Sequence, residues 1–288
     1  MTKRILLIGH PVGHSVSPAF QQAALDYYAL DVRYEAMDVD GSSLSRTVAG
    51  LRDPDVIGAN VTVPYKQAVM AFIDEFDDEA LLIGAVNTIE NREGTLVGYN
   101  TDAQGFLKAL KEESGFDPKD NNVLVLGAGG AARAVVVALA GAGASSLVVA
   151  NRTLERAAAL VDSIQSTLPS AEAIELKSDS LGLVAANCHL IVNCTSMGMS
   201  GGEGQGETPM MSDLIPSGAL VCDLVYNPRE TPLMHETAKA GAQVLGGLSM
   251  LVYQGAAAFG LWTDKEAPVK VMFEAAEKAL AARQLIGS

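Results

Sequence analysis

The chain is poor in the residues that build crosslinked or metal-held scaffolds, with three cysteines and four histidines in 288 residues. Cys188, Cys194 and Cys222 are odd in number and lack the paired spacing of a metal site. They argue against a disulfide framework and read as reduced core thiols of a cytoplasmic protein. Basic residues are also scarce, 20 Lys and Arg against 34 Asp and Glu, and the formal charge of −14 argues against a general surface for nucleic acid or anionic membrane. No apolar run is long enough to span a bilayer, and the first residues lead straight into Ile5–Ile8 without the pattern of a cleavable signal. Internal repeats and low-complexity tracts are missing as well; residues 200–207 are merely a glycine-rich loop. Aromatics make up 5% of a chain that is 49% apolar, the composition of an Ala/Val/Leu-rich α/β enzyme. Its length suits two domains with ample core.

Strand-like and helix-like segments alternate. Lys3 to Gly9 reads as a first strand, followed by a loop rich in Gly, His, Ser and Pro. Ala19 to Leu30 reads as a helix, Val32 to Val39 as a strand, Ser42 to Leu51 as a helix and Val56 to Val63 as a strand ended by Pro64. This predicts a βαβ sheet of its own. Asn100 to Gly105 leads into an expected helix up to Ser114, and Gly115 to Asp120 reads as a linker. From Asn122 to Leu245 strand and helix alternate again. Leu248 to Trp262 and Pro268 to Leu285 then read as two helices, expected to return to the first domain. The expected organisation is therefore an α/β substrate domain over 1–103, a Rossmann-type doubly wound domain over 104–246, and C-terminal helices over 247–288 that pack back on the first.

The richest stretch runs from Val123 to Arg133. Four apolar residues suit a buried parallel strand, and Ala131 to Ala140 suits a helix. Between them Gly127-x-Gly129-x-x-Ala132 supplies a tight turn, bare backbone for a pyrophosphate and close helix–strand contact. The helix N-terminus would then offer free N–H groups to the phosphates. A second strand, Leu147 to Ala150, ends at Asn151-Arg152-Thr153. An NAD site usually places Asp or Glu there for the ribose 2′-hydroxyl. A carboxylate would repel a 2′-phosphate and a guanidinium would bind it, so NADP(H) is the expected cofactor. Thr153 as an N-cap with a solvated Arg152 is the structural alternative.

Four polar clusters lie in the first hundred or so residues. Ser15 and Ser17 flank one residue, so in an extended segment both hydroxyls face one side and could donate to a carboxylate. Ser17 before Pro18 also reads as a helix N-cap. Asn60, Thr62 and, if the extended run continues, Pro64 share one strand face opposite Val61 and Val63, with Lys66 at the strand end. Asn87-Thr88 reads as turn or site. Asp102 precedes a helix, where an acid could serve only as a cap.

Together these segments carry a resemblance. HSVSP (14–18), NVTVPYK (60–66), GAVNT (84–88), YNTDAQG (99–105), GAGGAARA (127–134), NRT (151–153), NCTSMGM (193–199) and GLSMLVYQGAAAF (247–259) occur in this order, and over essentially its full length the chain resembles the shikimate dehydrogenase family. The resemblance implies NADPH-dependent reduction of 3-dehydroshikimate to shikimate, on the route to aromatic amino acids. It assigns Ser15 and Ser17, with Tyr226 nearby, to the substrate carboxylate, and Thr62, Asn87 and Gln254 to ring hydroxyls. Lys66 and Asp102 match the catalytic pair, Asp102 also touching substrate. Gly127, Ala128, Gly129, Gly130 and Ala131 match pyrophosphate contacts, and Asn151, Arg152 and Thr153 the 2′-phosphate contacts. Asp78, Leu224 and Gly247 align with further cofactor-proximal positions. Leu224 stands where some members carry Met, so only a backbone or packing role carries over, and Gln21 replaces a His common in the family.

The chemistry of the pair is coherent. Ketone reduction builds negative charge on the carbonyl oxygen, and an ammonium supplies both a cation and a proton. His14 is the minor competitor. Cys194 to Met199 suits a loop over the adenosine or nicotinamide ribose, or an apolar lid, and Met250 and Phe259 fit core positions. No metal is expected. The partner is a small-molecule substrate, and the protein is expected as a monomer or homodimer in the cytoplasm. The rival readings are a quinate/shikimate dehydrogenase using NAD(P) and an NADP-binding sensor without turnover.

Overall fold

The computed structural model describes residues 2–202 and 204–286. They fall into two compact units, residues 1–105 with 251–288, and residues 106–250.

The first unit opens with β1 (Lys3–Gly9), α1 (Ser17–Tyr27), β2 (Val32–Asp38), α2 (Leu44–Gly50) and β3 (Val56–Val61). It continues with β4 (Glu75–Phe76), α3 (Asp78–Ile83), β5 (Thr88–Arg92), β6 (Thr95–Tyr99) and the start of α4 (Asp102–Ala109). Its sheet runs β2-β1-β3-β5-β6-β4. The β1–β2 and β1–β3 pairs are parallel, whereas β5 pairs antiparallel with both β3 and β6. The expected βαβ half is therefore extended by a hairpin, with Glu93 and Gly94 at its tip, both at positive φ. Ile5 to Ile8 are buried, because β1 lies inside the sheet between two parallel neighbours and is apolar on both faces. Leu6, Ile8, Val48, Leu51, Val61, Val69 and Ile89 belong to one apolar cluster. Burying each such side chain contributes roughly 1.5–3 kcal/mol.

Local details depart from the expected pattern. β3 stops at Val61, and Val63 is 69% exposed rather than turned inward with Val61. Thr62 N–H still donates to the Ile8 carbonyl, and the chain then turns out of the ladder, with Tyr65 N–H on the Thr62 carbonyl. The segment 42–51 begins as a short 3₁₀ turn over Gly41–Ser43, because Asp40 caps the N–H groups of Ser42 and Ser43. The helix from Asp102 ends in a π-helical turn over Leu110–Ser114.

The second unit holds β7 (Asn122–Leu126), α5 (Gly130–Gly141), β8 (Ser146–Asn151), α6 (Leu154–Ile164), β9 (Ala171–Glu175) and α7 (Ser178–Ala185). Then come β10 (Leu190–Asn193), β11 (Leu220–Asp223), α8 (Pro232–Lys239), β12 (Gln243–Gly246) and the start of α9 (Gly247–Thr263). Its sheet, β12-β11-β10-β7-β8-β9, is parallel throughout. Counted from β7, this is the dinucleotide-binding order, with the reversal of strand order between β7 and β10. Met250 and Phe259 are buried, as expected of core positions.

The last helix, α10 (Val269–Ile286), packs on α1 in the first unit. The unit boundaries fall at Gly105 and Met250, slightly later than 103 and 246, and two close approaches account for them. A Cβ at Gly105 would stand 2.6 Å from the Gln254 nitrogen, and one at Gly247 would stand 2.3 Å from the Leu224 carbonyl oxygen. The beginning of α4 is thus pressed against the later part of α9, while the first turn of α9 is pressed against the loop after β11.

Candidate active site

In the first unit the candidate residues gather at the carboxyl ends of β1 and β3, where the strand order reverses. This is where open α/β sheets bind ligands. The two loops are tied together, since His10 N–H donates to the Val63 carbonyl at 3.0 Å. Lys66 follows the β3 end. Its neighbour Tyr65 is buried and donates from its hydroxyl to the Val39 carbonyl at 2.6 Å, and the Lys66 carbonyl accepts from Val86 N–H at 2.7 Å. The lysine backbone is therefore fixed on both sides while its side chain remains 16% exposed.

Lys66 Nζ donates to Asp102 Oδ2 at 2.5 Å. Asp102 opens α4, and its carboxylate is used in side-chain contacts: Oδ1 accepts from Asn87 Nδ2 at 2.8 Å. Asn87 Nδ2 also lies 3.0 Å from Thr101 Oγ1 and 3.2 Å from Gln254 Oε1. Asn87 Oδ1 accepts from Thr101 N–H, and the Asn87 carbonyl accepts from Asn60 Nδ2. Tyr34 then donates to Asn60 Oδ1 at 2.7 Å, and burial pushes its phenol pKa upward. This buried polar network is costly unless satisfied, and its members are hydrogen-bonded. It holds an ammonium beside a carboxylate at a partly open point, an arrangement that can transfer a proton from an oriented donor.

Ser15 and Ser17 stand at the start of α1, but not as a pair in an extended strand. Val16 occupies the N-cap position with helical φ and ψ and no side-chain cap, and Ser17 is the first helical residue rather than the cap. Ser17 N–H donates to Ser15 Oγ at 3.2 Å, a local turn that displaces the expected alternation. Thr62 is half-buried just beyond the end of β3, and Gln254 lies in α9 with its Nε2 on the Leu251 carbonyl. His14 is exposed and takes no part in the Lys66–Asp102 hydrogen bonds. Gln21 is buried and donates to the Gly255 carbonyl at 2.9 Å.

In the second unit the site is mostly backbone. Gly127 follows β7 at φ +103°, which disfavours any side chain, and a Cβ there would lie 3.2 Å from the Cys194 carbonyl after β10. Gly129 is the N-cap of α5 with no side-chain cap, and nothing lies within 4 Å of a Cβ built on it. The first N–H groups of α5, from Gly130 and Ala131 on, are thus open to an anion, and Ala128 completes the turn. Asn151 ends β8 and donates to the Thr153 carbonyl at 2.9 Å, while Arg152 is exposed. Thr153 occupies the α6 N-cap position without a side-chain cap hydrogen bond, so its hydroxyl is not used in capping. These residues fit a dinucleotide bearing a 2′-phosphate. Leu224 contributes its backbone: its N–H bonds the Asn193 carbonyl and its carbonyl meets Gly247.

Tyr226 belongs to the second unit and Asp78 to the first. At the end of β11, Asp223 is buried, and desolvation raises its carboxyl pKa despite hydrogen bonds from Thr231, Asn193 and Val225. Burial likewise pushes the Cys188 thiol up to about 11 and raises Cys222 further. Among the described residues no group of His, Cys, Asp and Glu could hold a metal ion, and no helix is long and apolar enough to cross a membrane. Sequence reasoning missed Tyr34, which lies in no recognisable motif.

Three family models match the chain. They describe a shikimate dehydrogenase substrate binding domain over residues 7–89, a shikimate/quinate 5-dehydrogenase over 109–200 and a shikimate 5′-dehydrogenase C-terminal domain over 247–277. A shikimate dehydrogenase (NADP⁺) of Methanopyrus kandleri is 47% identical over 95% of this chain and 94% of its own. That of Moorella thermoacetica is 46% identical over 98% and 95%. The crystal structure of a shikimate 5-dehydrogenase from Thermus thermophilus, in complex with NADP(H) and shikimate, is 40% identical. It superposes with a TM-score of 0.86 over 96% of this chain and all of that one.

Proposed function

The chain belongs to the shikimate dehydrogenase family, and we propose that it interconverts shikimate and 3-dehydroshikimate with Lys66 and Asp102 as the proton-handling pair. Its activity is that of an NADP-dependent oxidoreductase of aromatic amino acid biosynthesis. The observation that carries the residue assignment is the 2.5 Å Lys66–Asp102 contact, held by Asn87 at a strand end in the unit that matches the substrate-binding model.

NADPH, when bound at the Gly127–Ala131 turn and Asn151–Thr153, supplies the hydride. As negative charge grows on the carbonyl oxygen, the Lys66 ammonium stabilises it and delivers a proton to that oxygen. In the oxidative direction the neutral amine of Lys66 takes the hydroxyl proton. Asp102 orients the ammonium and accepts from a ring hydroxyl, and Asn87, Thr62 and Gln254 fix the ring by its remaining hydroxyls. Ser15 and Ser17 receive the carboxylate at the N-terminal end of α1, where the helix dipole favours an anion. The first unit is thus the substrate unit and the second the cofactor unit. Three free thiols suit a reducing, cytoplasmic setting, and the protein acts on its small-molecule substrate as a monomer or homodimer.

The test follows NADP⁺ reduction by the growth of reduced-nicotinamide absorbance. Shikimate with NADP⁺ should exceed quinate with NADP⁺, and NAD⁺ should be the poorer cofactor. Preference for quinate would overturn the substrate assignment, and no turnover with either would overturn the catalytic one.

A further inference from the structure

Arg283 lies in the last turn of α10 and reaches back to the serine loop. Its Nη2 donates to the Ser15 carbonyl at 2.9 Å. Its Nη1 is buried with no hydrogen-bond partner among the described residues. A buried guanidinium nitrogen without a partner is costly, and such a group calls for a partner or a reason. The surrounding molecule carries a net charge of −14, so an anion reaching this loop needs a nearby fixed cation. Lys66 is engaged by Asp102. Arg283 is instead fixed to the backbone of the serine loop.

We infer that Arg283 is a positioning residue of the carboxylate seat. It sets the Ser15–Ser17 turn through the Ser15 carbonyl and lends a fixed positive charge that selects a cyclic hydroxy acid over its neutral counterpart. The guanidinium suits this task because it is always charged and bonds in a rigid fork. This rests on the serine seat proposed above.

The experiment compares shikimate with its methyl ester, using NADP⁺, in the wild type, Arg283→Gln and Arg283→Lys. In the wild type the ester should show the higher KM. Arg283→Gln should raise the KM for shikimate on the order of tenfold, the loss of one charge-assisted contact. The KM for the ester should rise by a clearly smaller factor, since only the turn and not the charge acts on it, and both kcat values should stay within about twofold, the pattern of lost uniform binding. Arg283→Lys, which keeps the charge and a donor, should restore most of the preference for the acid. A purely structural role would move both KM values together and overturn the inference, as would an unchanged shikimate KM in Arg283→Gln. If the glutamine variant does not fold, the lysine variant decides: retained preference supports the inference and lost preference overturns it. A wild type indifferent to esterification would instead overturn the serine seat itself, a result distinct from any effect of Arg283.

Discussion

The two units solve opposite problems, each with a six-stranded sheet. In the first, the strand-end site is made of side chains, Lys66, Asp102, Asn87 and Gln254, locked in a buried polar network. In the second it is made largely of backbone, a positive-φ glycine and an uncapped helix start, with Arg152 as an exposed addition. A network of side chains is sensitive to chemistry at single positions, because each lost partner strands another. A backbone site is sensitive to shape, and many side chains around it are free to vary.

The sharpest way to break this contrast is Lys66→Met, which keeps the aliphatic stem. It should lower kcat by roughly 10²–10⁴-fold, the range of general acid–base contributions, while shikimate KM and NADP binding move far less. Near-normal turnover in steady-state assays would show that the network does not carry the chemistry. Arg152→Ala should come next. It should raise the KM for NADP⁺ by about ten- to a hundredfold, the loss of a charge-assisted contact, and leave that for NAD⁺ almost unchanged. Equal weakening of both cofactors would make Arg152 part of the fold.

Two glycines separate shape from stability. Gly129→Ala meets nothing within 4 Å, so its melting temperature should match the wild type. Binding of both dinucleotides, measured by fluorescence titration, should nonetheless weaken on the order of tenfold as a methyl enters the pyrophosphate path. Gly127→Ala, at φ +103°, should instead destabilise the protein by roughly 1–3 kcal/mol. A stable Gly127→Ala protein would mean that the turn relaxes.

The smallest effect concerns Asp223. Burial raises its folded carboxyl pKa above the ordinary 3.8, so the folded state binds its proton more tightly than the unfolded chain. Stability from this group therefore grows as pH falls through the raised value towards 3.8, and is lost above it. Asp223→Asn cannot titrate, so its stability relative to wild type should be best near neutrality and decline as the pH drops through that window. A pH-independent difference in urea midpoints would show that the carboxyl is not held up by burial.

Much of the fold is legible because its signals are local. The apolar runs at Ile5–Ile8 and Val123–Leu126 mark interior parallel strands, and the glycine turn before α5 marks the nucleotide unit. The β5–β6 hairpin escapes the pattern because its partner β3 lies far back in the chain, and Asn87-Thr88 is as polar as a turn. Lys66 and Asp102 are 36 positions apart and Gln254 lies 167 beyond Asn87. No spacing rule joins them, and only the family resemblance brings them together. Ser17 is misread as a cap because the helix already includes it, with Val16 at the N-cap position. Arg283 gave no signal, since a lone arginine on a late helix looks like any solvated residue.

The first unit is assembled from residues on both sides of the second, and this sets a timetable for synthesis. When the first hundred or so residues emerge from the ribosome, Phe20 still lacks its neighbour Gly255, and the Ile89 carbonyl still lacks the Trp262 indole that donates to it. The intervening parallel sheet is complete before α10 is made. At about 5–20 residues per second, the early half-built layer waits on the order of ten to forty seconds for its closing helices. Throughout that interval its apolar surface is open to chaperones and to other nascent chains.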